Sequence, residues 1–255
     1  MYTAYWGDTF GPNFDELSGK PRPNFGDILN GPLLDHYGVK YNHSRNHEDS
    51  NLFVIGSVAR LAQKGSVVCG SGSIRFGERP SEERENYEGV DWRAVRGPLT
   101  RQEVIKFGGE CPKIYGDPAL LLPRFVPEEQ KQYKVGVTLH YYHRSEGMKE
   151  WLQGSGYHYI DILNFDPIAV AKEISKCERI ISTSLHGIIA AHAYGIPAAH
   201  VKWDKIPKLH GDNLKFKDHY AAMNLEHKCN YMNDLIFEAG TLPDIDALEN
   251  EIKKL

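Results

Sequence analysis

Runs of apolar and β-branched residues alternate along this chain of 255 residues with stretches in which apolar residues recur every three or four positions. Short apolar runs bounded by glycine or serine predict strands, and the longer period predicts helices. The first half predicts a helix at about 27–37, strands at 52–55, 66–69 and 92–95, and a helix from 98 to about 107. The second half predicts strands at 134–139, 157–162, 179–182 and 198–201, with helices at 146–152, 167–175 and from about 184 to 194. Such alternation is typical of an α/β fold with parallel sheets and crossover helices.

Residues 123–132 interrupt this alternation near the middle of the chain. The segment holds two prolines, Pro123 and Pro127, and a polar run, which together predict a linker. We therefore expect two Rossmann-like halves, residues 1–124 and 125–255, that face each other across a cleft. One continuous sheet, with 123–132 as a surface loop, is the alternative.

Composition narrows the classes of function. The net charge of −4 provides no basic field for nucleic acid. No stretch of about 18 apolar residues predicts a transmembrane helix, and the N-terminus lacks the pattern of a signal peptide. The four cysteines lie far apart without a Cys-x-x-Cys pair, as is typical of reduced thiols. We expect a cytoplasmic protein that does not bind nucleic acid.

The most informative stretch is 178–200, ERIISTSLHGIIAAHAYGIPAAH. A strand ends at Ser182, the hydroxyl residues 182–184 can cap the next helix, and His186 lies in its first turn. A helix N-terminus beyond the carboxyl end of a parallel strand stabilises an anion there. His186 could then act as a hydrogen-bond donor or general acid, with Gly187 leaving room beside it. A capping or core histidine is the alternative.

Two arginines predict a second anion-binding feature. Arg96 ends a predicted strand, and Arg101 lies one turn into the helix that Pro98 opens. The planar guanidinium suits carboxylate and phosphate. The alternative is that both arginines lie on the surface and pair with Glu103 or other acids. Asp117, just before Pro118, is interpreted as a turn cap, although it could face the cleft instead.

Two glycine-containing segments and one histidine complete the candidates. In Asn24-Phe-Gly-Asp-Ile-Leu-Asn30, Gly26 allows a turn and Asp27 can cap a helix. Cys69-Gly-Ser-Gly-Ser73 lacks the third glycine of a dinucleotide fingerprint. A tight turn is therefore at least as good an interpretation as a ligand-binding loop. His140 follows a predicted strand of the second half. No motif indicates a metal, and we expect no cofactor.

Taken together, these segments resemble the polysaccharide pyruvyl transferase family. The matching segments are 24–30 (NFGDILN), 70–72 (GSG), 95–101 (VRGPLTR), 115–125 (YGDPALLLPRF), 182–187 (STSLHG) and 214–220 (LKFKDHY). Each is weak alone, but their order and spacing across most of the chain make the set fairly specific. Family members are similar to two-domain GT-B glycosyltransferases. They transfer the pyruvyl group of phosphoenolpyruvate onto a sugar of a polysaccharide repeat unit, usually as a cyclic ketal.

The resemblance implies roles for individual residues. It implies that Arg96 and His186 are catalytic and that phosphoenolpyruvate binds as the donor substrate. We predict substrate-binding roles for the remaining candidates: Gly26, Asp27, Asn30, Ser71, Arg101, His140, Ser184, Leu185 and Gly187. The family often has arginine where this chain has Ser184, so another cation must take its place or the site is weaker.

The resemblance also implies a glycan acceptor, either a sugar or a lipid-linked oligosaccharide. The basic and aromatic segment Val201–Lys208, VKWDKIPK, could then contact the inner face of a membrane. An ordinary solvated loop is the alternative. Two other functions remain open at this point, namely a nucleotide-sugar glycosyltransferase of the same architecture and a non-catalytic protein that binds glycans or anions.

Overall fold

The computed structural model describes residues 1–7, 23–75, 87–140, 143, 150, 152, 154–202 and 213–255. Within these ranges the chain is an α/β protein with two separate parallel sheets. The alternative of one continuous sheet is therefore wrong.

The first sheet has five strands in the order β2-β1-β3-β4-β5. Their bounds are β1 Tyr2–Tyr5, β2 Tyr41–Ser44, β3 Leu52–Phe53, β4 Val67–Cys69 and β5 Asp91–Ala94. The helices of this part are α1 Phe25–Ile28, α2 Asn30–His36 and α3 Pro98–Lys106, followed by a 3-10 segment at Pro118–Arg124.

The second sheet has four strands in the order β7-β6-β8-β9. Its strands are β6 Gly136–Thr138, β7 His158–Ile160, β8 Ile180–Ser182 and β9 Ala198–His200. The helices are α4 Pro167–Ser175, α5 Leu185–Ala193, α6 Leu214–Ala222 and α7 Ile245–Lys253. None of the described helices is both long enough and apolar enough to cross a lipid bilayer.

The order of the strands reverses at the equivalent position in both sheets. In each sheet the first strand in sequence lies between the second and the third, so the order reverses between β1 and β3 and between β6 and β8. Open parallel sheets bind ligands beyond the carboxyl ends of the strands at such a reversal. Each half therefore offers one ligand-binding edge.

Local sequence explains where the second-half helices begin and end. Asp166 caps α4 by accepting bonds from the amides of Ile168 and Ala169, and Pro167 occupies the first turn. Every residue of α5 is buried, and its small side chains allow close packing on the 3-10 segment at Pro118–Arg124. Gly195 follows with a positive φ of 66°, where glycine is favoured.

One hydrophobic core connects the two halves. It includes Leu29 and Leu121 from the first half and Ile174 and Ile188 from the second. The last helix, α7, belongs by sequence to the second half but packs against β4 and β5 of the first sheet. The two halves are therefore held together by apolar packing as well as by chain connection.

The predicted alternation is confirmed at most positions. The helix expected at 27–37 is two helices that meet at Leu29, and the helix expected at 146–152 lies mostly outside the described residues. Strands β1 and β2 and helices α6 and α7 were not predicted.

Candidate functional site

A cleft of about 200 Å³ lies where the carboxyl ends of the two sheets face each other. The first half lines it with Tyr5, Gly7, Asn24, Asp27, Ser57, Val58 and Ile74, and the second half with His140, Ser184, Leu185, His186 and Lys215. Gly7 follows β1, Ser57 follows β3, His140 follows β6 and Ser184 follows β8. Both reversal points therefore open into one cleft.

His186 is the second residue of α5, and only 8% of its surface is exposed. Its Nε2 atom lies 3.5 Å from Oδ2 of Asp117, and neither atom has a hydrogen-bond partner among the described residues. Its ring packs against Gly26 of α1, where a side chain would overlap the imidazole. His186 is thus a buried but unsatisfied polar group at the cleft, which is what a ligand-binding role requires.

Asp117 performs both of the roles considered from its sequence. Its Oδ1 atom accepts a bond of 3.1 Å from the amide of Ala119 and so caps the 3-10 segment. Its Oδ2 atom faces His186. Asp117 is fully buried, so its carboxylate holds the imidazole of His186 in place from behind the cleft.

Asp27 is the acid on the first-half side of the cleft. It lies in α1, where the side chain of Asn24 caps the helix by accepting from the amide of Gly26. Burial raises the pKa of Asp27 to about 7, while the nearby His186 and Lys215 oppose this shift. At neutral pH, Asp27 can therefore either donate or accept a proton.

Lys215 is a site residue that the sequence reasoning missed. It lies in α6 and lines the cleft from the second half. Burial lowers the pKa of Lys215 to about 8, helped by the charge of Arg96 and opposed by Asp27. The signal was present in the sequence, because Lys215 belongs to the motif LKFKDHY, but a lysine on a helix usually lies in solvent.

The remaining second-half candidates surround the start of α5. Burial lowers the pKa of His140 to about 2, and Lys215 adds to this effect, so its imidazole is neutral. Ser184 is the N-cap of α5, yet its side chain does not cap. The hydroxyl of Ser182 accepts from the amide of Ser184, and that of Thr183 accepts from the amide of His140. Of the three hydroxyl residues expected to cap α5, Ser182 therefore accepts from the N-cap amide, whereas the side chain of the N-cap residue Ser184 makes no cap hydrogen bond.

Gly187 makes room for the sheet rather than for His186. A side chain at this position would overlap the hydroxyl of Thr138 in β6 and press against that of Ser182 in β8. These two hydroxyls are hydrogen-bonded to each other at 2.7 Å. Gly187 therefore lets α5 approach the second sheet closely.

Arg96 is buried behind the cleft, with none of its surface exposed. Its guanidinium pairs with Asp218 of α6 at 3.2 Å and donates to the hydroxyl of Ser57 and the carbonyl of Ser73. Asp218 also accepts from the amides of Leu99 and Thr100 at the start of α3. The anion beside Arg96 is thus a carboxylate of the chain itself, and the expectation that Arg96 faces the cleft does not fit this structure.

Three other candidates make internal contacts. Arg101 donates to the carbonyl of Cys111. Asn30 connects α2 to Asp27 of α1 and to Ile55, two residues after β3, through three hydrogen bonds. Ser71 donates to the carbonyl of Gly56. These contacts fix the loops behind the cleft, and any substrate contact by these residues stays a prediction.

Two further expectations concern a metal site and a segment that could contact a membrane. No group of three histidine, cysteine or carboxylate side chains suited to a metal ion occurs among the described residues. The segment Val201–Lys208 lies mostly outside the described residues, so its membrane role is a prediction.

Two known proteins are similar to this chain in sequence. The chain is 31% identical over 180 residues to an uncharacterized protein of Acanthamoeba polyphaga mimivirus, covering 68% of this chain and 60% of that protein. It is 28% identical over 215 residues to the succinoglycan biosynthesis protein ExoV of Rhizobium meliloti, covering 80% of this chain and 63% of that protein. The chain therefore spans less than two thirds of the length of either relative.

A functionally uncharacterized protein from Klebsiella pneumoniae has a solved structure that aligns over 91% of this chain and 92% of its own, with a TM-score of 0.48 and 11% identity. The family model for polysaccharide pyruvyl transferases matches residues 12–205. This match covers most of the chain and includes His186, Asp117 and Asp27. The chain belongs to the polysaccharide pyruvyl transferase family.

Proposed function

We propose that this protein transfers the pyruvyl group of phosphoenolpyruvate onto two hydroxyls of a sugar in a polysaccharide repeat unit, forming a cyclic ketal. The observation that carries the proposal is the distribution of charge across the cleft. The first half lines the cleft with the carboxyl group of Asp27 and places Asp117 behind His186, and the second half lines it with His186 and Lys215. An anionic donor and a hydroxyl acceptor need opposite environments, and this cleft provides both.

The donor is assigned to the second half. Phosphoenolpyruvate carries a carboxylate and a phosphate, which favour helix N-termini and cations. The side chain of the N-cap residue, Ser184, leaves the start of α5 open, and Lys215 lies on the same side of the cleft. The sugar is assigned to the first half, beside Asp27, in a GT-B-like arrangement of the two halves.

The chemistry assigns one proton transfer to each side. Asp27 accepts a proton from the first sugar hydroxyl as that oxygen bonds to C2 of the donor, and protonated His186 gives a proton to the methylene carbon. The bond from C2 to the phosphate oxygen then breaks, and the second hydroxyl adds to C2. The proton that Asp27 took from the first hydroxyl returns to His186 and replaces the one that is now on the methyl group, and the proton of the second hydroxyl leaves with the phosphate. Each general acid or base contributes about 10²–10⁴-fold.

Phosphate release is the direct test. The protein would be incubated with phosphoenolpyruvate and a panel of free and lipid-linked sugars. Phosphate release that depends on a sugar, with a mass increase of the sugar product by one pyruvyl group, supports the proposal. A protein stabilised against heat by a nucleoside diphosphate but not by phosphoenolpyruvate would instead indicate a glycosyltransferase. Stabilisation by neither would favour a non-catalytic binding protein.

A further inference from the structure

We infer that Lys215 is the principal cation that binds an anionic group of the donor, and that the contact between α6 and α3 positions it. This inference rests on the proposed donor. It assigns a specificity role to a helix that follows the second sheet, and it gives Arg96 a positioning role in place of direct donor contact.

Lys215 is the one lysine or arginine among the described residues that line the cleft. It is partly buried, and none of the described residues forms an ion pair or hydrogen bond with its ammonium group. Its Nζ atom lies 5.5 Å from the ring centroid of Phe216, and the nearby carboxyl of Asp27, whose pKa is about 7, neutralises it only in part, which is unfavourable for a partly desolvated cation. A bound anion at the cleft would relieve this cost.

The starts of α5 and α6 share an arrangement that suits an anion. Each helix lacks a side-chain cap at its N-terminus, and neither has an acidic residue in its first turn. Each carries a nitrogen-bearing side chain at its second position, His186 in α5 and Lys215 in α6. Both side chains line the same cleft, so a ligand with two anionic groups could contact both.

The position of Lys215 is fixed three residues further along α6. Asp218 accepts hydrogen bonds of 2.9 and 3.0 Å from the amides of Leu99 and Thr100, and one of 2.6 Å from the hydroxyl of Thr100. Its pairing with Arg96 is fully buried. This set of contacts anchors the first turns of α6 to the first half and therefore holds Lys215 at the cleft.

Several charged and titratable groups surround Lys215. They come from α1, from the ends of β5 and β6, from α5 and from β9: Asp27, Arg96, His140, His186 and His200. Since the pKa of Lys215 is lowered to about 8, its charge is present below that pH and is lost as the pH rises through it. The affinity for an anion should therefore fall over the same range.

Calorimetry with phosphoenolpyruvate tests the inference. Lys215→Met removes the charge and keeps the length of the side chain, and we expect the dissociation constant at about pH 7 to rise about 10- to 100-fold. Lys217→Met is the matched control, because Lys217 is an exposed lysine two residues further on the same helix. We expect it to stay within about twofold of wild type.

The pH dependence separates a direct contact from a structural effect. Wild type should lose affinity between about pH 7.5 and about pH 9.5, where the phosphate is already fully ionised. Lys215→Arg keeps its charge throughout and should lose this dependence. If Lys215→Met does not fold, the pH dependence of phosphoenolpyruvate affinity in Lys215→Arg tests the inference instead. The inference is overturned if the affinity of Lys215→Arg falls over the same pH range as that of wild type.

The outcomes also separate this inference from the proposed function. If wild type binds phosphoenolpyruvate and Lys215→Met binds it equally well, the proposed role of Lys215 is wrong. The proposal that phosphoenolpyruvate is the donor is then unaffected. If wild type does not bind phosphoenolpyruvate, both the donor and the role of Lys215 are wrong.

Discussion

The imidazole ring of His186 fills the space that a β-carbon at Gly26 would occupy, with Nδ1 as the ring atom nearest to that position. The two residues come from different halves of the chain, Gly26 from α1 and His186 from α5. Any side chain at position 26 would occupy the space that the ring now fills. The glycine therefore determines where the histidine lies in the cleft.

Gly26→Ala should displace His186 and lower activity. The added methyl group overlaps the ring, which must rotate away from Asp117. We expect turnover, measured as phosphate release, to fall at least about 10-fold, with a loss of unfolding free energy of about 1–3 kcal/mol from overpacking.

Gly31→Ala provides the matched control for this prediction. Gly31 lies in the neighbouring helix α2, and a methyl group there would meet its nearest atom only at 3.7 Å. The change should leave turnover unchanged and favour the helix slightly. Equal turnover in Gly26→Ala and Gly31→Ala would contradict the steric role of position 26.

Sequence alone was sufficient to locate the edge of the second sheet and the histidine there. The strand at 179–182 and the helical pattern after it are local signals, and His186 lies at the cleft as expected. The motif Asn24–Asn30 also holds Asp27, which lines the same cleft, but the expectation that Asp27 caps a helix is wrong, because Asn24 is the N-cap of α1. Residues close in sequence to a strand end are predictable in this way.

Long-range partners account for what the sequence did not predict. Asp218 reaches Arg96 across 122 positions, so nothing near Arg96 in the sequence shows that its anion is internal. The strand β1, Tyr-Thr-Ala-Tyr, carries a hydroxyl at three of its four positions and so lacks an apolar run. Its identity comes from pairing with β2 and β3 rather than from its own composition.

Arg96→Ala should destabilise the protein strongly instead of only weakening donor binding. The change leaves the Asp218 carboxylate buried without its partner, and breaking such a pair costs about 3–5 kcal/mol. Urea denaturation measures the loss. Lys172→Ala is the control, because Lys172 and its partner Glu129 are 46% and 39% exposed and surface pairs contribute about 0–1 kcal/mol. A similar small loss in both variants would show that Arg96 is not structural.

His186→Ala should lower turnover by at least about 10²-fold, as expected for loss of a general acid. The melting temperature should barely change, because Nε2 of His186 makes no hydrogen bond with the described residues. His186→Gln should retain part of the donor affinity, since it keeps a hydrogen-bond donor. Near-normal turnover of His186→Ala would assign the histidine a structural role only.

Asp27→Asn should lower activity and change how stability depends on pH. The folded pKa of about 7 lies above the usual value of 3.8, so between these limits the folded protein holds a proton that the unfolded chain has lost. The contribution of Asp27 to the free energy of unfolding of wild type is therefore fully present below about pH 4 and is lost as the pH rises through about 7. The asparagine variant lacks this loss, so its free energy of unfolding should exceed that of wild type by more at about pH 8 than at about pH 5. Turnover should fall about 10²–10⁴-fold.

Asp234→Asn, which removes an exposed carboxylate, should show neither effect. A stability difference between Asp27→Asn and wild type that is the same at both pH values would mean that Asp27 is ionised throughout, and its proposed exchange of protons with the sugar would then be wrong.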